Sequence, residues 1–385
     1  MPSFTIPANV QAFLLYMERQ GFQAFLVGGC VRDGVQELSP HDWDDCTNAV
    51  PQELKALFPK ALTYGMRHGT MTVNWQDLLI EVTTFRSEGT YTDHRRPDRV
   101  LFVNDLYTDL ARRDFTINAV AMDARGQLHD PWCGLQDLKS RKIRAVGNAE
   151  TRFQEDALRM LRAIRFSAQL GFEIEAETRD AILQCAPLAA ALSAERVAQE
   201  IEKTLLTEHP EYVAEMISSG LLKHWISETV QDDPRKLNRI SPERIRRWCG
   251  LGLLFNNNGF LNLLHLDRKV IQACDACFQL RKQTNRDALF WKQAIHQFGK
   301  VLPAIAADVL SAWDSSSDDE ILRKIVSSGD CCTISELSVR GEDLLELGLH
   351  GKMIGEALEK ALRYVWKYPD RNEREHILAY LKEEI

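Results

Sequence analysis

The stretch Ala24-Phe25-Leu26-Val27-Gly28-Gly29-Cys30-Val31-Arg32-Asp33, followed by Asp42-Trp43-Asp44, decides how this chain is read. Its apolar start, Ala24 to Val27, predicts a strand. Gly28 and Gly29 then let the backbone approach a bulky anion, with peptide N–H groups free to point at it. Arg32 adds a fixed positive fork. On a strand, residues i and i+2 share a face. Asp42 and Asp44 would therefore set their oxygens side by side, the arrangement that hard divalent cations such as Mg²⁺ favour. Taken singly, an Asp-x-Asp pair is usually a solvated loop charge and Gly-Gly usually a turn. Their order and closeness on a strand–turn–helix–strand frame point to metal-assisted phosphoryl chemistry on a nucleotide.

At 385 residues the chain exceeds what one core usually supports, so about two to four domains are expected. Hydrophobic content of 45% and charged content of 26% are those of an ordinary globular protein. No apolar run spans a bilayer, and Met1-Pro2-Ser3-Phe4-Thr5 lacks the regions of a signal peptide. Nine scattered cysteines suit a reducing compartment, so a cytoplasmic protein is expected. Cys274-Asp275-Ala276-Cys277 and Cys331-Cys332 lack the companions of a metal site and read as structural. The net charge of −8 leaves nucleic-acid binding to a localised basic track. Candidates are Lys139, Arg141, Lys142 and Arg144; Arg159, Arg162 and Arg165; and Arg235, Lys236, Arg239, Arg244, Arg246 and Arg247, each equally readable as a solvated helix face.

The first third mixes periodicities. Strands are predicted around Leu26 and over Trp43–Thr47, Met71–Trp75 and Leu78–Phe85, with Gln76-Asp77 as a turn. Ala119–Met122 and Gln127–His129 read as a hairpin around Arg125-Gly126. Helices fit 8–20, 31–37 and 51–58, with Pro51 in the first turn of the last. This is an α+β domain with a mixed sheet. From about residue 148 helical spacing takes over. Thr151-x-x-Gln154 resembles a capping box, Leu158, Leu161, Ile164 and Ala168 line one face, and Ser315 to Asp319 reads as an exposed loop. Near the C-terminus Ile354, Leu358, Ala361, Leu362 and Val365 form a stripe between Gly351 and Pro369.

Three further stretches carry chemistry. Arg112-Arg113-Asp114-Phe115-Thr116-Ile117-Asn118 sets two guanidinium groups and a carboxylate before a strand. Arginines suit triphosphate oxygens, and a carboxylate can accept from ribose hydroxyls. Glu155-Asp156-x-x-Arg159-x-x-Arg162-Ala163-Ile164-Arg165-Phe166 places Asp156 and Arg159 on neighbouring ridges of one predicted helix, where they would otherwise form intrahelical ion pairs. Thr84 to Pro97, polar and containing Gly89 and Pro97, reads as a mobile loop.

Together these motifs resemble the class II tRNA nucleotidyltransferases, the bacterial CCA-adding enzymes and their poly(A) polymerase relatives. The match runs in order from about Val27 to Lys203, with a weaker echo at Gly341 to Gly348. The resemblance implies a polymerase beta-like nucleotidyltransferase head with a mixed sheet, followed by an all-helical neck, body and tail. In this sequence these would be head 1–147, neck 148–206, body 207–275 and tRNA-binding tail 276–385. It implies Asp42 and Asp44 as catalytic residues and metal ligands for Mg²⁺, with Glu81 as a possible third acidic group. It implies Gly28, Gly29, Arg32, Arg113, Asp114, Asn118, Asp156, Arg159 and Arg162 as nucleotide-binding residues. Glu155, Asp156 and Arg159 would read the base, and Ser193-x-Glu195-Arg196-x-x-x-Glu200 would support them. Asp130 to Gly134 lies where the family has its head–neck hinge.

The base reading also follows from chemistry. Cytosine and adenine share an exocyclic amine beside a ring-nitrogen acceptor. A carboxylate accepts from the amine and a guanidinium donates to the ring nitrogen. Uracil and guanine present a carbonyl and an N–H there, so both contacts would turn repulsive. The implied reaction takes tRNA, CTP and ATP to tRNA ending in CCA and pyrophosphate. The implied partners are thus tRNA, gripped at its 3′ end and elbow, CTP and ATP, with no membrane. The sequence departs from the pattern in Gly34 to Leu38, where relatives carry Leu-Leu-Gly, and in Trp43 and Asp45, where small aliphatics are usual. An A-adding enzyme or poly(A) polymerase is the enzymatic alternative. A non-catalytic RNA-binding protein with a degenerate head would need a lost metal ligand, yet both aspartates are present. Oligomeric state is not legible.

Overall fold

The computed structural model describes residues 4–40, 42–88 and 100–384. The chain divides into two compact units, one of residues 1–204 and 212–227, the other of 205–211 and 228–385.

The first unit begins with α1 (Ala8–Arg19), β1 (Ala24–Val27), α2 (Gly29–Val35), β2 (Trp43–Thr47) and α3 (Pro51–Leu57). There follow β3 (Thr70–Trp75), β4 (Leu78–Thr84), β5 (Arg86–Glu88), β6 (Val100–Phe102), α4 (Leu106–Ala111), β7 (Ala121–Met122), β8 (Leu128–His129), α5 (Gly134–Ser140) and β9 (Lys142–Ile143). A six-stranded sheet runs in the order β3-β4-β2-β1-β7-β8. It is mixed: β2 and β4 are parallel, while β1–β2, β3–β4, β1–β7 and β7–β8 are antiparallel. Gln76 and Asp77 join β3 to β4 with φ of 50° and 64°. Two positive-φ residues make the kind of turn whose twist matches a hairpin's.

Period-two alternation assigns the two faces of the sheet. Leu26, Trp43, Ile80 and Val82 point to one side, where Val10, Phe13, Leu14 and Met17 of α1 close the core. Those four recur at helical spacing, so one stripe of α1 is wholly buried. Val27, Cys46, Phe85, Leu106, Leu110 and Ala121 form a smaller cluster on the other side. Asp44 shares that second face, since it sits between Trp43 and Asp45 on β2.

Trp43 is accommodated by Phe4, with ring centroids 6.2 Å apart and planes 18° from parallel. Asp45 is enclosed in the core, and neither of its oxygens has a hydrogen-bond partner. Burial raises its carboxyl well above the usual range, opposed only in part by the Phe25 peptide. Nothing in the structure explains why an acid stands there.

Helices complete this unit: α6 (Ala149–Glu155), α7 (Leu158–Leu170), α8 (Ala176–Cys185), α9 (Ala194–Leu205) and α10 (Val213–Ser218). β9 pairs in parallel with β10 (Glu173–Ile174), a short strand within the region read as wholly helical. Two local expectations are corrected. The cap of α6 is Asn148, whose side chain accepts from the Thr151 N–H, so Thr151 lies inside the helix rather than before it. The predicted single helix over 151–168 breaks at Asp156, which takes extended backbone angles of −135° and 104°.

The second unit contains α11 (Arg244–Phe255), α12 (Phe260–Leu263), α13 (Arg268–Arg281), α14 (Ala288–Phe298), α15 (Val301–Asp314) and α16 (Asp318–Ser328), followed by α17 (Gly341–Glu346), α18 (Lys352–Lys367) and α19 (Arg374–Glu384). Ala361, Leu362 and Val365 of α18 are buried in its terminal core, bounded by Gly351 and Pro369 as expected. The expected loop at Ser315 to Asp319 is shorter than read. Asp318 opens α16, is buried, and accepts from Trp291 Nε1 and Arg286 Nε. The body–tail limit expected at 275/276 falls inside α13, a continuous helix. Cys274 and Cys277 are buried and free, and their thiols meet that of Cys249 from α11. Among the described residues no helix is long and apolar enough to cross a membrane.

Candidate active site

The glycine turn and the acidic strand meet as their spacing implies. Gly28 takes φ of 77° and ψ of −134°, a conformation open to glycine at little cost. A Cβ there would stand 3.5 Å from both Arg113 Nη1 and Asp44 Oδ2. Gly28 thus lies between a cation and a carboxylate, with its backbone as the wall. Asp44 on β2 pairs directly with Glu81 on β4, and Asp42 immediately precedes β2.

These three carboxylates feel one another. Burial raises the Asp44 carboxyl to about 6, Glu81 and Asp42 add repulsion, and Arg113 and Arg32 oppose the rise. Oxygen-only donors carrying concentrated negative charge are what a hard divalent cation needs. A bound cation would offset burial and the repulsion from Glu81 and Asp42, and so favour the ionised Asp44 carboxylate. The residues present therefore fit the divalent metal that the fold implies. Among the described residues no cluster of three His, Cys, Asp or Glu groups stands in ready-made metal-binding geometry. Asp42 and Asp44, with Glu81 alongside, are the residues that could hold such an ion.

The arginines are held by a residue that the sequence reading missed. Asp109, wholly buried on α4, accepts from Arg112 Nε at 3.0 Å and Nη2 at 2.7 Å, from Arg113 Nη2 at 3.1 Å, and from the Arg86 N–H. Burial pushes its carboxyl up, but Arg113 and Arg112 prevail and hold it below its usual value. The available signal was its spacing of three and four residues from the two arginines.

Asp114 and Asn118 belong to a second chain of contacts. Arg162 donates to Asp114 Oδ2 through Nε at 2.8 Å and Nη2 at 2.6 Å. Oδ1 of Asp114 accepts from Phe115 N and from Asn118 Nδ2. Asn118 Oδ1 in turn accepts from Arg32 Nη1 at 3.0 Å, and Arg32 pairs with Asp33. Burial would raise the Asp114 carboxyl, yet Arg162 and Asn118 hold it down at about 2.

Glu155, Asp156 and Arg159 come together across the break between α6 and α7. Arg159 Nη1 donates to Glu155 Oε2 at 2.6 Å and to the Arg152 carbonyl, while Nη2 reaches the Arg112 carbonyl at 2.9 Å. Arg152 also pairs with Glu155. Asp156 Oδ1 accepts from Leu158 N, and Oδ2 accepts from Arg196 Nη2 at 2.9 Å. Glu200 grips Arg165 at 2.6 Å. The Ser193–Glu200 segment thus braces the start of α7 from α9. Asp114, Arg159, Arg162 and Asp156 share one electrostatic neighbourhood, so the residues implied for ribose and base converge from the head and neck segments. Residues 89–97 of the expected loop lie outside the described residues.

Two of the candidate basic tracks have members engaged within the protein. Arg159 and Arg165 are 8% exposed and belong to this site's interior. In the second unit Arg235, Arg244 and Arg246 are paired with Asp233, Asp267 and Asp308, and Arg247 is buried.

Comparison with known proteins gives the family. Residues 24–144 match the family model described as "Poly A polymerase head domain", residues 171–233 the model "Probable RNA and SrmB- binding site of polymerase A", and residues 243–381 a tRNA nucleotidyltransferase domain 2 model. A CCA-adding enzyme of Geobacillus kaustophilus is 36% identical over 387 residues, covering 95% of this chain and 94% of its own. One from Enterococcus faecalis is 34% identical, covering 95% and 93%. The crystal structure of the Bacillus stearothermophilus CCA-adding enzyme in complex with CTP superposes with a TM-score of 0.82 at 32% identity, over 98% of this chain and 96% of that one. The Thermotoga maritima CCA-adding enzyme complexed with tRNA shares the fold at 22% identity and a TM-score of 0.71, over 100% and 97%. On this sequence identity, sustained over nearly the whole of both chains, the protein belongs to the CCA-adding enzyme family.

Proposed function

We propose that this chain is a CCA-adding tRNA nucleotidyltransferase, building CMP, CMP and AMP onto the tRNA 3′ end from CTP and ATP without a nucleic-acid template. The observation that carries the proposal is the meeting, in one unit, of the Asp42–Asp44–Glu81 carboxylates, the Gly28 turn and the Asp114–Arg162 and Asp156–Arg159 groups.

In the reaction the terminal ribose oxygen attacks the α-phosphorus, a new O–P bond forms, and the bond to the bridging oxygen breaks to release pyrophosphate. Asp42 and Asp44 would hold Mg²⁺, which supplies neutralising charge for the triphosphate and acidifies the attacking hydroxyl. Arg113 flanks the Gly28 turn and is placed to meet phosphate charge. Arg32, anchored by Asp33 and Asn118, adds to that charge from α2. Asp114, kept ionised by Arg162, accepts from the ribose. Asp156 reads the amine and Arg159 the ring nitrogen. A carboxylate has about four acceptor sites, and the two contacts to Leu158 N and Arg196 leave Asp156 capacity for the base.

The division into head 1–147, neck 148–206, body and tail is likewise our proposal, with the body–tail limit moved off α13. So is a cytoplasmic location, where tRNA and nucleoside triphosphates meet. The test is to incubate pure protein with tRNA lacking CCA and each labelled NTP in turn. CMP incorporation followed by AMP is expected. AMP alone would make it an A-adding enzyme, and no incorporation would overturn the assignment.

A further inference from the structure

Phe166, on α7, is 6% exposed and stands among cations. The guanidinium carbons of Arg165, Arg162 and Arg32 lie 3.9, 5.2 and 5.4 Å from its ring centroid. Phe115 meets the ring edge-on, with centroids 5.8 Å apart and planes at 81°. Three like charges around one side chain repel. Each is tethered by an acid or amide elsewhere: Arg165 by Glu200, Arg162 by Asp114, and Arg32 by Asp33 and Asn118. Those tethers fix the far ends of the guanidinium groups. The π face supplies the negative potential that steadies the near sides where water is excluded, which an aliphatic side chain of similar volume cannot do. Arg32 comes from the helix that follows the glycine turn, whereas Arg162 comes from α7, which also carries Arg159. The ring is therefore a shared contact between the two halves of the nucleotide site.

We propose that Phe166 is a positioning residue for nucleotidyl transfer, its aromatic face fixing Arg32 relative to Arg162 and so setting the distance between the triphosphate and ribose contacts. The proposal rests on the function assigned above and adds to it a residue that touches no substrate.

The test measures kcat and KM for CTP and ATP, with tRNA primers, in wild type, F166L, F166M, F166Y and F172L. Phe172 carries Arg141 over its ring at 5.2 Å away from the nucleotide site, so F172L controls for general loosening. F166L and F166M should raise KM for CTP and ATP alike, by about tenfold, with a smaller change in kcat. F166Y should return KM to within about twofold of wild type, and F172L should leave it unchanged. Two non-aromatic variants keep the comparison intact if one fails to fold. Wild-type KM in F166L or F166M, failure of F166Y to rescue, an equal effect of F172L, or a change confined to one nucleotide would each overturn the proposal. Absence of CMP and AMP transfer in the wild type would instead overturn the assigned function.

Discussion

Arg162 grips Asp114 through two N–H groups on a single carboxylate oxygen, at 2.8 and 2.6 Å, across 48 residues of sequence. The contact joins the Arg-Arg-Asp motif to α7, the helix that also carries Arg159. It also holds the Asp114 carboxyl below its usual range, because two charge-assisted donors, with Asn118, outweigh the cost of burial.

A pH dependence follows. A carboxyl depressed from 3.8 to about 2 adds stability that is fully present above its unfolded value and is lost as pH falls through the folded one. The linkage amounts to about 2 kcal/mol at neutral pH. D114N should therefore be destabilised at pH 7, and the gap to wild type should narrow between about pH 4 and pH 2. Urea unfolding at stepped pH measures it; a gap constant down to pH 2 would mean that the ion pair contributes nothing.

Asp109 anchors Arg112 and Arg113 from a fully buried position. Removing one member of a buried charge cluster strands the others, at a cost of about 3–5 kcal/mol. D109A should lose that much in unfolding free energy and also lose triphosphate affinity, since Arg113 is released from its place beside Gly28. Denaturant melts with nucleotide-binding titrations test both, and full stability in D109A would contradict the anchoring role.

Asp44 should separate chemistry from RNA binding. D44A and D42A remove the oxygens assigned to the metal but touch no described basic surface. Transfer should fall by at least about a thousandfold, the scale of losing a principal electrostatic stabiliser, while tRNA affinity in a gel-shift titration stays within about twofold. Turnover near that of wild type in either variant would show that the metal residues are misassigned.

Much of the site was legible because its chemistry is local in sequence. The Gly28–Asp33 turn and the Asp42-x-Asp44 pair each follow from spacing alone. What was missed depends on long-range pairing. Nothing near Asp109 announces its burial, and Asp156 reads as helical until Arg196, 40 residues away, is seen to hold it in an extended turn. The strands β5, β6, β9 and β10 run two or three residues each, too short for a period to register. Asp318 was read as loop because Ser-Ser-Ser-Asp-Asp is polar. Its burial depends on Trp291 of α14 and on Arg286 of the segment just before that helix.

Arg159 gives the test of base reading. Its guanidinium holds Glu155 and the carbonyls of Arg152 and Arg112, so the group proposed to read the base is also a brace. R159A should therefore lower stability through those lost contacts, which a melting curve will register, and should also relax selectivity. A bidentate base contact discriminates by about 1–3 kcal/mol, so incorporation of UMP or GMP relative to CMP and AMP should rise by about tenfold or more. R159K keeps the charge but loses the planar fork; it should recover stability better than selectivity. Equal loss for all four nucleotides in both variants would leave Arg159 as a brace alone, its charge spent on Glu155 rather than on the base.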